Sequence, residues 1–247
     1  MVTHARSAGP LRLIAPAGTG PAAWVYQSSL GGGYIGDDDL SLRVDVAARA
    51  SLFLSSQAST KVYRAAHAGF TLDATVGDDA ALVAWPDPVV CFRGAAFDQV
   101  QRFWLAPTAS LIAVDAWTAG RVARGERWAF DRLAMRLAIA IGGAPVLDDA
   151  MVLSSAHGDL AARLGPAAAF ATIAIAGPKL GAACDQLAAA IAVRDIAWPL
   201  VTASRWPWGL VIRIAAAATE PLARATHDLL RGCMIDTIGA DPWARKW

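Results

Sequence analysis

The chain has 247 residues and a formal net charge of +1, from 22 Lys and Arg against 21 Asp and Glu. That length supports a sizeable core. So even a charge balance gives no electrostatic reason to expect nucleic acid, and no uninterrupted apolar run reaches the roughly 18 residues that would suggest a membrane-spanning helix.

Composition narrows the class further. The chain is 55% apolar and only 17% charged, with ten tryptophans, which predicts apolar surface meant for a partner. Cys91, Cys184 and Cys233 are odd in number and widely spaced, so they read as reduced thiols of a cytoplasmic chain and not as a disulfide frame. Met1 to Pro16 lacks the apolar run of a secretory signal.

In chain order, Leu11–Leu13 and Ala23–Tyr26 are short strands around a loop from Pro16 to Pro21. A glycine loop, Gly31 to Gly36, opens the next stretch and Asp37-Asp38-Asp39 follows it. Leu40, Leu42, Val44 and Val46 alternate with polar residues, and Leu52 and Leu54 alternate again, which predicts a pair of strands with one apolar face. Phe70 to Val76 alternates, Gly77-Asp78-Asp79 signals a hairpin, and Ala81 to Trp85 is expected to pair back. Pro86 and Pro88 end that strand, and Val89 to Ala95 reads as a bend. Phe97–Leu105, Ser110–Trp117, Trp128–Ile141 and Pro145–Leu153 continue the strands, with a turn from Gly120 to Glu126.

The character changes after Gly158. Ala168–Ala176, Ile196–Thr202 and Gly209–Ile214 are strands. Leu180–Val193 has helical spacing. Thr219-Glu220-Pro221 starts a second helix that ends near Arg231, with Thr219 as cap and Gly232 as stop. The expected class is mainly β with two helices in the C-terminal part, built as stacked or sandwiched sheets of many short strands. The expected organisation is one domain, a β-rich part to about residue 157 and a late α+β part packed on it.

Catalytic signatures are missing. No paired Cys/His spacing for zinc, no G-x-S-x-G elbow and no G-x-x-x-x-G-K-[ST] loop occurs. Gly31, Gly33 and Gly36 have dinucleotide-loop spacing, but a strand follows where a helix N-terminus is needed, and three carboxylates there would repel a phosphate. Glycine is read there as a supplier of positive φ in a tight loop. The acidic pairs at 78–79 and 148–149 read as turn residues. Asp115, Arg121 and Glu126 flank a glycine-bounded turn, either as a charged staple or as part of a polar passage or partner contact. Lys61 and Arg64, three apart, are expected to face opposite ways, one of them inward.

Several motifs in register resemble one family. Gly31-Gly32-Gly33-Tyr34-Ile35-Gly36-Asp37, Gln57-Ala58-Ser59-Thr60-Lys61-Val62-Tyr63-Arg64, Trp85-Pro86-Asp87-Pro88, Phe92-Arg93-Gly94-Ala95, Gly120-Arg121 and Gly125-Glu126 are similar to the UreD family of urease accessory proteins (called UreH in some organisms). Gln27 to Leu30 and Pro242 to Trp247 depart from its pattern. The resemblance implies a non-enzymatic maturation factor that works with UreF, UreG and the urease apoprotein. It implies no tightly bound cofactor, with Ni2+ in transit to the urease active site. On that reading Lys61, Arg64, Asp115, Arg121 and Glu126 hold the core or line a polar path, and Gly31, Gly32, Gly36 and Asp37 form the loop. Leu187, Ile191, Leu222, Leu229 and Leu230 contribute apolar area to a UreF interface. The alternatives are a nucleotide- or phosphate-binding enzyme using the Gly31–Gly36 loop, and an unrelated β-rich interaction module.

Overall fold

The alternating runs do become strands, but consecutive strands go to different sheets. The computed structural model describes residues 1–17 and 20–245. Gly18 and Thr19 of the Pro16–Pro21 loop, and the last two residues of the Pro242–Trp247 segment, lie outside the described residues. The strands of the first half are β1 (Leu11–Ile14), β2 (Ala23–Ser29), β3 (Asp39–Val46), β4 (Ser51–Ser56), β5 (Thr60–Val62), β6 (Ala65–Val76), β7 (Ala81–Ala84), β8 (Val89–Cys91), β9 (Ala95–Leu105), β10 (Ser110–Thr118), β11 (Arg132–Ile141) and β12 (Ala144–Ser154). The second half holds α1 (Leu160–Leu164), β13 (Ala169–Ala176), α2 (Gly181–Ala192), β14 (Leu200–Trp206), β15 (Gly209–Ala216) and α3 (Thr219–Ile238).

One sheet has ten strands, with β1-β2-β4-β7-β10-β13-β15-β14 in line and β8 and β5 joined beside β10. The other has five, in the order β12-β11-β9-β6-β3. From β3 to β11 the chain passes back and forth between them. Neighbours within a sheet are therefore parallel, as in β3/β6, β6/β9, β9/β11, β4/β7 and β7/β10. Parallel neighbours need a crossover, usually a helix; here strands of the opposite sheet supply it.

This overturns two expectations. The segments at Leu40–Val46 and Leu52–Leu54 do not pair; β3 lies at the edge of the five-stranded sheet and β4 lies between β2 and β7. Gly77-Asp78-Asp79 does not close a hairpin either, because β6 and β7 belong to different sheets. Alternation shows which face of a strand is apolar but not which strand lies beside it. Smaller corrections follow. Val89–Cys91 is a strand and not a bend, the segment at Ile196 begins its strand only at Leu200, and α1 occupies a stretch with no expected helix.

Two cores result. One fills the space between the sheets, and the other lies between the larger sheet and helices α2 and α3. All nine residues of β10 are buried, as expected of a strand covered on both faces. Leu111, Ala113 and Trp117 enter the inter-sheet core, whereas Ile112, Val114 and Ala116 enter the helix-side core. Asp148 and Asp149, expected in a turn, lie in β12 and pair with Arg136 and Arg213. The Asp149–Arg213 pair, at 2.8 Å, ties β12 to β15 across the sheets.

Helix α3 runs through Gly232 and stops at Gly239, whose φ of 71° lets its N–H reach Ile235 O at 2.9 Å. Its buried stripe of Leu222, Thr226, Leu230, Cys233, Met234 and Ile238 explains the overrun. Packing of that stripe outweighs the roughly 1 kcal/mol that an interior glycine costs. Thr219 is the first helical residue and makes no capping bond.

Candidate functional site

The glycine loop is stitched to the segment that follows β5. Tyr34 N donates to Lys61 O at 2.8 Å, and Tyr63 N donates to Tyr34 O at 2.9 Å. Gly31, Gly32 and Gly36 have φ of 90°, 81° and 56°, the left-handed region that glycine alone enters without strain. Asp38 Oδ2 accepts from Ile35 N at 2.8 Å, Asp37 is exposed, and the chain then enters β3 with no helix start. The tight-loop reading holds. Tyr34 turns inward, 3% exposed, against Phe70 and Phe97. Burial, helped by Asp38, pushes its phenol well above the usual range.

Beside this loop lies an open cavity of about 230 Å³, walled among others by Gln27, Ser28, Tyr34, Gln57, Thr60 and Lys61. A second cavity, of about 20 Å³, lies deeper and shares Gln27, Tyr34 and Thr60 as walls. Its inner end is formed by Gln99, Gln101 and Asp115. All three come from inward positions of central strands. Gln99 and Gln101 share the inward face of β9 with Phe97 and Phe103, and Asp115 follows Leu111 and Ala113 on β10.

Gln99 Nε2 donates to Asp115 Oδ1 at 2.8 Å. Gln101 Nε2 and Gln27 Oε1 are buried without a hydrogen-bond partner of good geometry. Unpaired buried polar atoms are rare, and a space of this size admits about one water. Burial pushes the Asp115 carboxyl up to about 7; the Gln99 bond opposes this, Asp149 adds to it and Gln101 opposes it weakly. The two cavities share walls at Gln27, Tyr34 and Thr60, and the inner one, lined also by Leu54, Phe70, Leu72, Ala84 and Val89, ends at a carboxyl between the sheets.

The other expected residues fall elsewhere. Arg121 and Glu126 form a two-pronged ion pair, Nε to Oε2 at 2.8 Å and Nη2 to Oε1 at 2.5 Å. Asp115 is not part of that staple; it points between the sheets while the staple lies on the connection after β10. Lys61 and Arg64 are both exposed, so neither is directed inward. The chain has left β5 by Arg64, and strand alternation no longer applies there. Ile191, Leu222 and Leu230 are buried, and Leu187 and Leu229 are partly buried against the same core. The helices turn these residues to the chain's own sheet. The large apolar residues that do face outward include Val193, Ile196, Trp198 and Trp208 on connections, and Ile235 on α3.

Gln27, Gln99 and Gln101 are the functional candidates that sequence reading missed. Their signal was present: two glutamines at inward positions of an otherwise apolar alternation. Among the described residues no group of three His, Cys, Asp or Glu side chains could hold a metal ion. All three thiols are free and buried, and burial pushes Cys91 up to about 12. Among the described residues no helix is long and apolar enough to cross a membrane.

The family model described as UreD urease accessory protein matches residues 1–247. A urease accessory protein UreD of Sorangium cellulosum is 44% identical over 254 aligned positions, covering 100% of this chain and 80% of that protein. One of Anaeromyxobacter is also 44% identical, covering 97% of this chain and 82% of the relative. A urease accessory protein D of rice is 36% identical over 75% of this chain and 63% of its own length.

Proposed function

The chain belongs to the UreD family of urease accessory proteins, and from that premise we propose that it is a non-catalytic scaffold that assists nickel delivery to the urease apoprotein. The match over the whole chain carries this reading. In it the chain works in the cytoplasm with UreF, UreG and urease, and nickel is cargo in transit, not a resident ion. In this reading the two cavities together form a polar path that serves the transfer step. Amide and carboxylate oxygens hold a borderline cation more loosely than thiolates or imidazoles do, and loose holding suits passage. Asp115 and Asp87 both line the inner cavity, and Lys61 lines the outer one. The exposed Ile235 is the apolar residue that α3 offers to UreF.

The test is co-expression of an Asp115→Asn variant with UreF, UreG and urease apoprotein, followed by metal analysis of the purified urease. Asparagine keeps the shape and one acceptor for Gln99. Urease nickel is expected to fall severalfold while the accessory complex still co-purifies. Wild-type nickel content in that variant would remove the passage from the reading.

A further inference from the structure

Among the described residues many arginines are held. Arg102, Arg121, Arg132, Arg136, Arg205 and Arg213 all meet carboxylates. Arg64, Arg93 and Arg124, like Arg6, Arg49 and Arg194, are different: among the described residues no carboxylate or carbonyl receives any of their guanidinium groups. The topology gathers the first three. β5, β8 and β10 are parallel neighbours, so the connections leaving their C-terminal ends emerge together. Arg64 follows β5, Arg93 follows β8, and Arg124 lies in the helical turn Val122–Arg124 after β10.

Contacts tie the connections of Arg64 and Arg93 to the Arg121–Glu126 pair, on the same connection as Arg124. The Arg64 stem lies over Gly94, where an added Cβ would meet it at 3.3 Å. Arg93 N donates to Glu126 Oε2 at 3.3 Å. Arg121 Cζ sits 4.0 Å from the centre of the Phe92 ring, and Tyr63 meets the same ring edge-on at 5.0 Å. These connections carry five arginines, with Arg121 and Arg127, against the carboxylates of Glu126 and Asp131. Glu126 is already taken by Arg121. In a chain of net charge +1, that concentrates positive charge at one end of the molecule.

We infer that this end is a docking surface for an acidic stretch of a protein partner, gripped by Arg64, Arg93 and Arg124 around the Arg121–Phe92 platform. A guanidinium fork matches a carboxylate in two-pronged fashion, and arginine beside an exposed apolar residue, here Val122 at 47% exposure, is typical of interface composition. Neither of the two cavities described above is lined by these arginines, which lie on open surface. Single-stranded nucleic acid needs open aromatic faces for stacking, and Phe92 is occupied by Arg121 and Tyr63.

The test uses the full chain and fluorescence anisotropy of a labelled oligoglutamate peptide, so it stands apart from nickel and urease. The Arg64→Ala/Arg93→Ala/Arg124→Ala variant is expected to bind at least about tenfold more weakly, because paired interface charges are removed. A control with Arg6→Ala/Arg49→Ala/Arg194→Ala has the same net charge and removes unpartnered arginines elsewhere; it should stay within about twofold of wild type. Arg124→Glu alone, on an exposed side chain with no partner to lose, should also weaken binding and guards against misfolding of the triple variant. Equal losses in both triples, no binding by wild type, or tighter binding of a single-stranded oligothymidylate would overturn the inference.

Discussion

A carboxyl group enclosed between two sheets opposes folding in its ionised form, and Asp115 is such a group. Its pKa is raised from 3.8 to about 7 by burial, so between those values the folded chain keeps a proton that the unfolded chain has released. The associated stability is complete below about 3.8, declines as pH rises, and is lost above about 7. Asp115→Asn should therefore raise stability at pH 8 by at most about 4 kcal/mol, and the gain should vanish towards pH 4. Urea unfolding at several pH values checks this; a gain independent of pH would assign it to packing. Gly120 makes the opposite case. At φ 97° an added Cβ would meet Glu126 O at 2.6 Å and Cys91 O at 2.8 Å. Gly120→Ala should destabilise by roughly 1–3 kcal/mol and loosen the Arg121–Glu126 staple, which chemical denaturation would register.

Helix α3 separates packing from docking within one element. Leu230 is 0% exposed and belongs to the helix-side core, whereas Ile235 is 43% exposed on the same helix. Leu230→Ala should cost about 2–5 kcal/mol through the lost side chain and the cavity left behind. Ile235→Ala should change stability by no more than about 0.5 kcal/mol. If Ile235→Ala nevertheless lowers co-purification with UreF, the outward face of α3 takes part in that contact. Unchanged co-purification would leave α3 as a purely internal element. The helix's start was legible because Thr219-Glu220-Pro221 marks a first turn. Its end was not, because a glycine inside a packed helix looks like a stop until the stripe beyond it finds a partner.

At the scale of the molecule, β10 belongs to both cores and pairs with β13 along eight residues, Leu111 to Thr118. The late strands therefore extend the early sheet. Unfolding followed by tryptophan fluorescence and by far-ultraviolet dichroism is expected to give one coincident transition. Two separated transitions would mean that the early and late parts fold apart. Pairing is also remote in sequence, since every parallel neighbour is reached through a strand of the other sheet, and such topologies fold slowly.

The residues themselves determined where most strands and the two longer helices begin, because period-two alternation and helical spacing are local properties of the backbone. They also determined the family, because ordered short motifs survive in linear register. Tertiary structure alone decided which strands are neighbours and that Asp115 meets Gln99 and Gln101. It alone placed Arg64, Arg93 and Arg124 on one end and turned Leu222 and Leu230 inward. Those facts depend on how the chain crosses between two sheets, and a crossing joins residues whose separation along the sequence carries no sign of the contact.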